Sequence, residues 1–374
     1  MQLSPVLADL AQYPFTRLDD WRAEARARGI ELIDFGMGDP REVTPGFIRD
    51  ALVAGLTDVS SYPRATGLPE LREAVAAWIE RRFGVDVDAA TEIVPTLGSK
   101  EAIFSFAQIA TGERRLVAIP EPAYPVYERG ALFAGADVVT VPLAEDNGWL
   151  PDLDAFTAWD EIALFWTCYP NNPTGAVAPL SFYEELSARA REHGFLLCSD
   201  EAYSELWFDE PPVSALQVED RENVVVFNTL SKRSSMTGYR SGFVCASAAV
   251  CDALRKFRPT VGTAPQEFVQ RASVAAWSDD EHVEDVRALY RRKRDTVLPA
   301  LFDRGLRVSA SDATFYLWAE VDDSETFARR LLEHGIVVAP GSFFGPSGDG
   351  FVRFALVPTQ AECERAAAIL REVL

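Results

Sequence analysis

The chain has 374 residues, 48% of them hydrophobic and 25% charged, with a formal charge of -21 and a pI near 4.6. An acidic balance of this size repels phosphate backbones and anionic membranes, so nucleic acid is not an expected partner. No apolar run approaches the roughly 20 residues that span a bilayer, and "MQLSPVLADLAQYPF" has no basic start followed by an apolar core; no membrane contact and a cytoplasmic location are therefore expected.

In chain order, "FGMGDP" holds Gly36 and Gly38 but lacks the third glycine of a dinucleotide fingerprint. "GSKEAIFSFAQIA" (98 to 110) places a Gly-Ser-Lys turn at the start of a helix, without the GxxxxGK[ST] of a nucleotide loop. Six short runs follow: "RLVAI" (115 to 119), "DVVTV" (137 to 141), "EIALFWT" (161 to 167), "FLLCS" (195 to 199), "VVVFN" (224 to 228) and "GFVCA" (242 to 246). All are too apolar to leave one sheet face wet, which predicts a sheet buried on both faces. Helical periodicity lies between them, as in "LSFYEELSARAREHG", where Gly194 is a suitable terminator. This alternation predicts an α/β fold with a mostly parallel sheet flanked by helices. From about residue 276 the pattern changes to one long charged helix, "SDDEHVEDVRALYRRKRDTVLPALFDRG", then short strands and the closing helix "TQAECERAAAILREVL". A smaller α+β domain is expected there.

The five cysteines, Cys168, Cys198, Cys245, Cys251 and Cys363, form no CxxC pair and lie mostly in apolar surroundings, so buried free thiols are expected and no metal site. His193, His282 and His334 sit in charged, helical stretches with no HxxxH spacing and no visible Ser-His-Asp grouping, which lowers hydrolytic and zinc chemistry. Lysine is scarce. Lys256 and Lys293 lie in "LRKFR" and "YRRKRD" and are expected in solvent, whereas Lys232 follows an apolar strand and calls for another reason.

Ligands of open α/β sheets bind at the carboxyl ends of the strands, and the unusual short sequences gather there. "YPNNPTG" (169 to 175), "DEAY" (200 to 203) and "TLSK" (229 to 232) each follow a run. Singly, the first is a turn, Asp200 a helix cap, and Thr229 with Lys232 a spacing without the other elements of a serine-lysine site. Together they suit an aldehyde cofactor that bears a phosphate. Lys232 supplies an amine and Asp200 a carboxylate for a ring nitrogen. Backbone N–H groups of Ser99 and Lys100, a hydroxyl from Thr229 or Ser231, and the Arg240 guanidinium supply an anion site.

The ordered set "IDFGMGDP", "SSYPRATGLPELREAVA", "YPNNPTG", "SDEAY", "SKRSSMTGYRSGF" and "FVRFALV" resembles the fold-type I pyridoxal-5'-phosphate (PLP) enzymes of the class I/II aminotransferase family over nearly the whole chain. The resemblance implies a large PLP-binding domain over 45–275 and a small domain from 1–44 and 276–374. It implies Lys232 as the Schiff-base lysine that also moves the Cα proton, Asp200 beside the pyridine nitrogen, and Tyr203 and Asn172 beside the ring 3'-oxygen. Tyr124 matches the residue stacked on the ring. Arg353 matches the arginine that grips the substrate α-carboxylate, near Asn172 and the Gly38 backbone. Tyr62 matches a tyrosine that reaches the cofactor phosphate of the partner subunit, which implies a homodimer with shared sites.

Within the family, "QYPFTRLDDWRAEARARG", "GSKE" and "SKRSSMTGYRSGF" look most like the branch of succinyldiaminopimelate and LL-diaminopimelate aminotransferases in lysine biosynthesis. The resemblance implies small-molecule substrates, an amino acid (glutamate as donor) and a 2-oxo acid, with succinyldiaminopimelate aminotransferase the first reading. LL-diaminopimelate, alanine and aspartate aminotransferases, a PLP-dependent lyase on the same fold and a non-catalytic PLP-binding regulator remain alternatives. Arg64, two residues after Tyr62, is the candidate cation for a distal substrate carboxylate; Arg17 and Arg22 are weaker ones.

Overall fold

In the computed structural model, which describes residues 4–10, 12–59 and 61–374, each of the six apolar runs forms a strand. After a short β1 (Ile33–Asp34), the strands β2 (Ile93–Thr96), β3 (Leu116–Glu121), β4 (Asp137–Ala144), β5 (Leu150–Pro151), β6 (Ile162–Cys168), β7 (Leu196–Asp200), β8 (Val224–Thr229) and β9 (Gly242–Ala246) follow. The last eight make one sheet in the order β2-β9-β8-β7-β6-β3-β4-β5. Neighbours from β4 through β8 run parallel, whereas β9 is antiparallel to both β8 and β2, and β5 folds back on β4. The fold is therefore α/β with a mostly parallel sheet.

Burial follows position in the sheet. β8 and β9 are covered on both faces, and so is β6. β4 departs from the expectation: from Thr140 to Ala144 its residues alternate exposed and covered. It lies near the sheet edge, beside a strand of only two residues, so one of its faces meets water. Helix Gly98–Ala110 covers one face of the centre, setting Phe106 edge-on to Phe227 at 5.2 Å and to Trp166 at 6.3 Å. On the other face Trp159 stacks on Phe165 and Phe195. Rings of this size stabilise by roughly 1.5–3 kcal/mol each when buried, so the two layers are locked to the strands they cover. Helix Leu180–His193 ends at Gly194, whose φ of 72° lies in the left-handed region that terminates helices.

Beyond the sheet, the charged stretch forms a single helix, Glu281–Phe302, of 22 residues. Strands β10 (Tyr316–Glu320), β11 (Ile336–Val337), β12 (Ala339–Pro340) and β13 (Phe351–Ala355) follow. β13 lies between β10 and β12 in an antiparallel sheet, while β11 pairs with β1 in parallel. The Ala355 N–H also donates to Phe35 O at 2.8 Å, so the N-terminal stretch is stitched to the C-terminal sheet.

Lys293 is not in solvent as its charged neighbours suggested. It is fully buried in helix Glu281–Phe302, 5.2 Å from the Tyr290 ring, and is ion-paired to Glu42. The counter-charge comes from a segment 251 residues away, which no local reading could anticipate. Lys256 is exposed. All five cysteines are buried and free. Among the described residues no helix is long and apolar enough to cross a membrane, and no cluster of His, Cys, Asp and Glu could hold a metal ion.

Candidate active site

Strand register brings the chemistry together. Cys168 at the end of β6 lies opposite Asp200 at the end of β7, and Asp200 opposite Phe227 in β8. Two residues on, Thr229 lies opposite Gly242, which lies opposite Thr96 on its other side. The start of helix Gly98–Ala110 therefore arrives beside Thr229 and Arg240. A side chain on Gly242 would meet Asn228 O at 2.4 Å and the Gly98 Cα at 3.1 Å, so glycine permits this close approach. A cavity of about 480 Å³ opens there. Every residue of the expected cofactor and substrate set lines it except Tyr62 and Arg64.

Asp200 is not a helix cap, since turns follow it through Glu205 rather than a helix. Its carboxyl accepts the Tyr127 hydroxyl at 2.7 Å and the Ala202 N–H at 3.2 Å. Burial pushes the carboxyl up to about 6, against the pull of those two bonds. Tyr127 is itself held by stacking on Trp166 at 5.0 Å.

Lys232 lies in the one-turn helix Leu230–Arg233, which Thr229 caps by accepting the Ser231 N–H at 3.2 Å. Its ammonium donates to Gly38 O and lies 5.6 Å from the Phe315 ring centre. Burial pushes it down to about 8, Asp39 opposes that shift, and the positive charges of Arg353 and Arg240 add to it. The amine therefore yields its proton near neutral pH, where an ordinary lysine does not.

The anion corner is built from backbone as much as side chains. Arg240 has a φ of 55°, a left-handed conformation unusual for a residue with a Cβ. It donates to Thr237 O at 2.8 Å and Leu97 O at 3.2 Å, and lies so flat on Gly98 that a Cβ there would be 2.6 Å from Nη2. Ser99 is buried in the first turn of helix Gly98–Ala110, and the Thr229 and Ser231 hydroxyls lie 2.9 Å apart. Lys100 sits over the rings of Tyr13 at 5.3 Å and Tyr124 at 5.8 Å. Burial lowers its pKa, and the charges of Arg240 and Arg129 lower it further. Converging cations that weaken one another in this way are relieved by an anion.

Arg353 faces the other side of the cavity from the middle of β13, between Trp318 and Ala339. It is 2% exposed, so it is not on a wet strand face. Nη1 donates to Asn172 Oδ1 at 2.7 Å and Nη2 to Gly36 O at 3.0 Å, while Nε is buried without a partner. The Tyr316 ring lies 4.1 Å from the guanidinium and the Phe344 ring 4.6 Å. Among the described residues no carboxylate pairs with it. A buried guanidinium held only by neutral acceptors and rings is suited to a carboxylate ligand. The Tyr316 hydroxyl also lies 2.7 Å from that of Tyr203, and a Cβ on Gly38 would come within 2.1 Å of it.

Tyr62 and Arg64 are exposed and do not line the cavity of the single chain. Arg17 and Arg22 fail as free cations. Arg17 pairs with Glu325 at 2.5 Å, and Arg22 is buried against Asp34 at 2.9 Å and Asp19 at 2.7 Å. Their charges are already engaged by the N-terminal helix Thr16–Ala27 and its neighbours. The sequence reading missed Tyr127, Tyr13 and Tyr316. Tyr127 had a signal, since it follows Tyr124 by only three residues in "PAYPVY"; Tyr124 precedes helix Val126–Phe133 and Tyr127 lies in its first turn. Tyr316 had none: in "ATFYLW" it reads as one more apolar strand residue.

Residues 30–370 match the family described as aminotransferase class I and II. An LL-diaminopimelate aminotransferase of Nitratidesulfovibrio vulgaris is 40% identical over 381 aligned positions, covering 98% of each chain. Among solved structures, a substrate-bound BacF of Bacillus subtilis superimposes with a TM-score of 0.93 at 32% identity, covering 100% of this chain and 98% of the other. A probable N-succinyldiaminopimelate aminotransferase of Thermus thermophilus has a TM-score of 0.90 at 33% identity, covering 96% of this chain and 100% of the other.

Proposed function

The chain belongs to the class I and II aminotransferases, and on that basis we propose that it moves an amino group between a diaminopimelate-type amino acid and a 2-oxo acid. As in its family, the cofactor is pyridoxal 5'-phosphate. When bound, this group holds the amino group through its aldehyde carbon and draws the electrons of a breaking Cα–H bond into its ring. The observation that carries the reading is the meeting of a depressed amine, a buried carboxyl and a carboxylate-free guanidinium in one cavity.

The cavity fits the cofactor. Among the described residues only Tyr127 and Ala202 donate to Asp200, so a ring N–H would add a third donor and stabilise the charged carboxylate that burial disfavours. Lys100, Arg240, the first-turn N–H groups at Ser99, and the Thr229 and Ser231 hydroxyls suit the phosphate. Tyr203 and Asn172 are donors for the ring oxygen, and Tyr124 packs against the ring. Arg353 would hold the α-carboxylate through the N–H groups that Asn172 and Gly36 leave free. Lys232, free as a neutral amine once substrate is bound, takes the Cα proton and returns it on the cofactor side.

The substrate assignment rests on the relatives. The LL-diaminopimelate name favours the unsuccinylated substrate over the succinylated one first expected. Its distal end is recognised by Arg64 of the partner subunit, in the loop between helices Gly46–Ala54 and Pro69–Phe83, where Val59 and Tyr62 are 76% and 103% exposed in the single chain; Val43, just before the first of these helices, is 77% exposed. An apolar surface of this kind is suited to a second copy, with Tyr62 reaching the partner's phosphate corner. Residues 45–275 form the cofactor-binding body of each subunit, and 1–44 with 276–374 the smaller one.

A donor panel tests the reading. LL-diaminopimelate, its N-succinyl derivative, glutamate, aspartate and alanine are each mixed with the enzyme, and conversion of the cofactor to its amine form is followed by absorbance. LL-diaminopimelate should exceed alanine and aspartate by at least about tenfold in kcat/KM, or about 1.4 kcal/mol. Equal rates across the panel would remove the substrate assignment, and release of ammonia in place of amino transfer would replace the reaction by a lyase.

A further inference from the structure

Two residues beyond Lys232, the Ser234 Oγ lies 2.8 Å from His282 Nε2, and His282 Nδ1 lies 2.5 Å from Asp279 Oδ1. These are the spacings of a serine-histidine-aspartate relay, which the sequence did not reveal because Ser234 and His282 are 48 residues apart. Ser234 is fully buried and does not line the cavity, so no substrate reaches it and the hydroxyl is not a nucleophile. The relay must act on something it touches.

What it touches is the turn that follows Lys232. Ser235 has a φ of 51°, a left-handed conformation that is unfavourable for a non-glycine residue and persists only where its surroundings impose it. Each residue around it is held from outside the turn. Arg233 donates to Ala276 O at 2.6 Å and Asp279 O at 2.9 Å, and pairs with Asp280 at 2.6 Å. Ser234 is held by His282, and Ser235 O accepts the Thr44 hydroxyl at 2.6 Å. The anchors come from the end of helix Glu267–Trp277, from the turn that leads into helix Glu281–Phe302 and its first residues, and from a loop between β1 and the next helix, Gly46–Ala54; that loop also carries Gly38, the acceptor of Lys232.

The imidazole is suited to a fixed role. Burial lowers its pKa and the Arg233 guanidinium, 3.5 Å from Nε2, adds to that, while Asp279 and Asp280 oppose it. Phe47 covers the ring edge-on at 5.5 Å. A neutral ring donates from Nδ1 to Asp279 and accepts the Ser234 hydroxyl at Nε2, so both of its nitrogens are satisfied.

We infer that His282 is a positioning residue for Lys232: the Asp279–His282–Ser234 relay holds the turn in its left-handed shape and so sets where the amine points, an inference that rests on the reading of Lys232 as the proton carrier. A displacement of the amine by about 1 Å is enough to cost up to a hundredfold in rate, whereas the carboxylate clamp at Arg353 is untouched. Ser234→Ala and His282→Ala, assayed as holoenzymes, should each lower kcat about tenfold and leave KM for the amino acid within about twofold. The double variant should be no slower than the slower single, because both remove one device. The pH midpoint of the bound cofactor's visible absorbance should also move in Ser234→Ala, a shift that a loss of stability alone would not produce. Wild-type kcat and midpoint in Ser234→Ala, or losses that multiply in the double variant, would overturn the inference. Lys232→Ala separates the two readings: if it stays active the role of Lys232 itself is wrong, and if it alone is inactive only the relay is.

Discussion

The wall of the cavity that the main sheet supplies carries two groups whose charges burial disfavours, with Asp200 raised to about 6 and Lys232 lowered to about 8. The wall supplied by the C-terminal sheet carries Arg353, whose charge is permanent and whose guanidinium is caged by the rings of Tyr316 and Phe344. On the proposed reading, the two walls divide the labour. Groups that must exchange or share protons sit at strand ends, where burial and a few hydrogen bonds tune them toward neutral pH. Arg353, which must only hold an anion, sits mid-strand, where rigid packing fixes its fork.

If that division is right, the main-sheet wall should dominate the chemical step. Lys232→Ala should lower the single-turnover rate by about 10⁴-fold or more, the full span of proton-transfer catalysis. A loss below about a hundredfold would mean that another group moves the proton. Asp200→Ala should slow Cα-proton removal by about 10²–10³-fold, the scale of a lost electrostatic stabiliser, while the enzyme still binds cofactor. An effect under tenfold, measured by deuterium exchange at Cα, would leave Asp200 a structural residue.

The C-terminal wall should show itself in binding. Arg353→Lys keeps the charge but loses the fork, and kcat/KM should fall about a hundredfold, or about 2.7 kcal/mol, mostly through KM. A pure kcat effect would place Arg353 in the chemistry and erase the division. The pH dependence of cofactor capture tests the same contrast from the other side. Burial disfavours the ammonium of Lys232, so the reactive neutral amine prevails above about 8; below that the capture rate of cofactor-free enzyme should fall tenfold per pH unit, and above it level off. A rate still climbing tenfold per unit at about pH 9.5 would describe an ordinary lysine.

Tyr316 joins the two walls and should give the smallest effect. Its hydroxyl meets Tyr203 and its ring lies beneath Arg353. Tyr316→Phe deletes one neutral hydrogen bond, worth about 1 kcal/mol, so kcat should drop about fivefold with KM unchanged. A rise in KM instead would show that the hydroxyl, and not the ring, supports the carboxylate clamp.

Legibility divided along similar lines. The residues that line the cavity from strand ends were readable because the feature that marks each of them is local: an apolar run with a polar residue at its end or within a few residues beyond it. Asp200 and Lys232 both obey it. Lys293 misled because its charged neighbours are local while Glu42, its partner, is not. Arg17 and Arg22 misled in the same way, since Glu325 and Asp34 had already claimed them.

Local pattern was enough to establish the strands at the sheet centre, the parallel α/β class, the ordered motifs of the family, and most of the residues that meet in the cavity. Those depend on short-range hydrophobic periodicity and on residue types that suit only a few backbone shapes. Folding alone settled which charges find partners, that Tyr127 holds Asp200, that Tyr316 bridges Tyr203 and Arg353, and that Ser234, His282 and Asp279 form a relay behind Lys232. Each of these arrangements joins segments far apart in the chain, and its energy depends on distances and burial that exist only after the chain has folded.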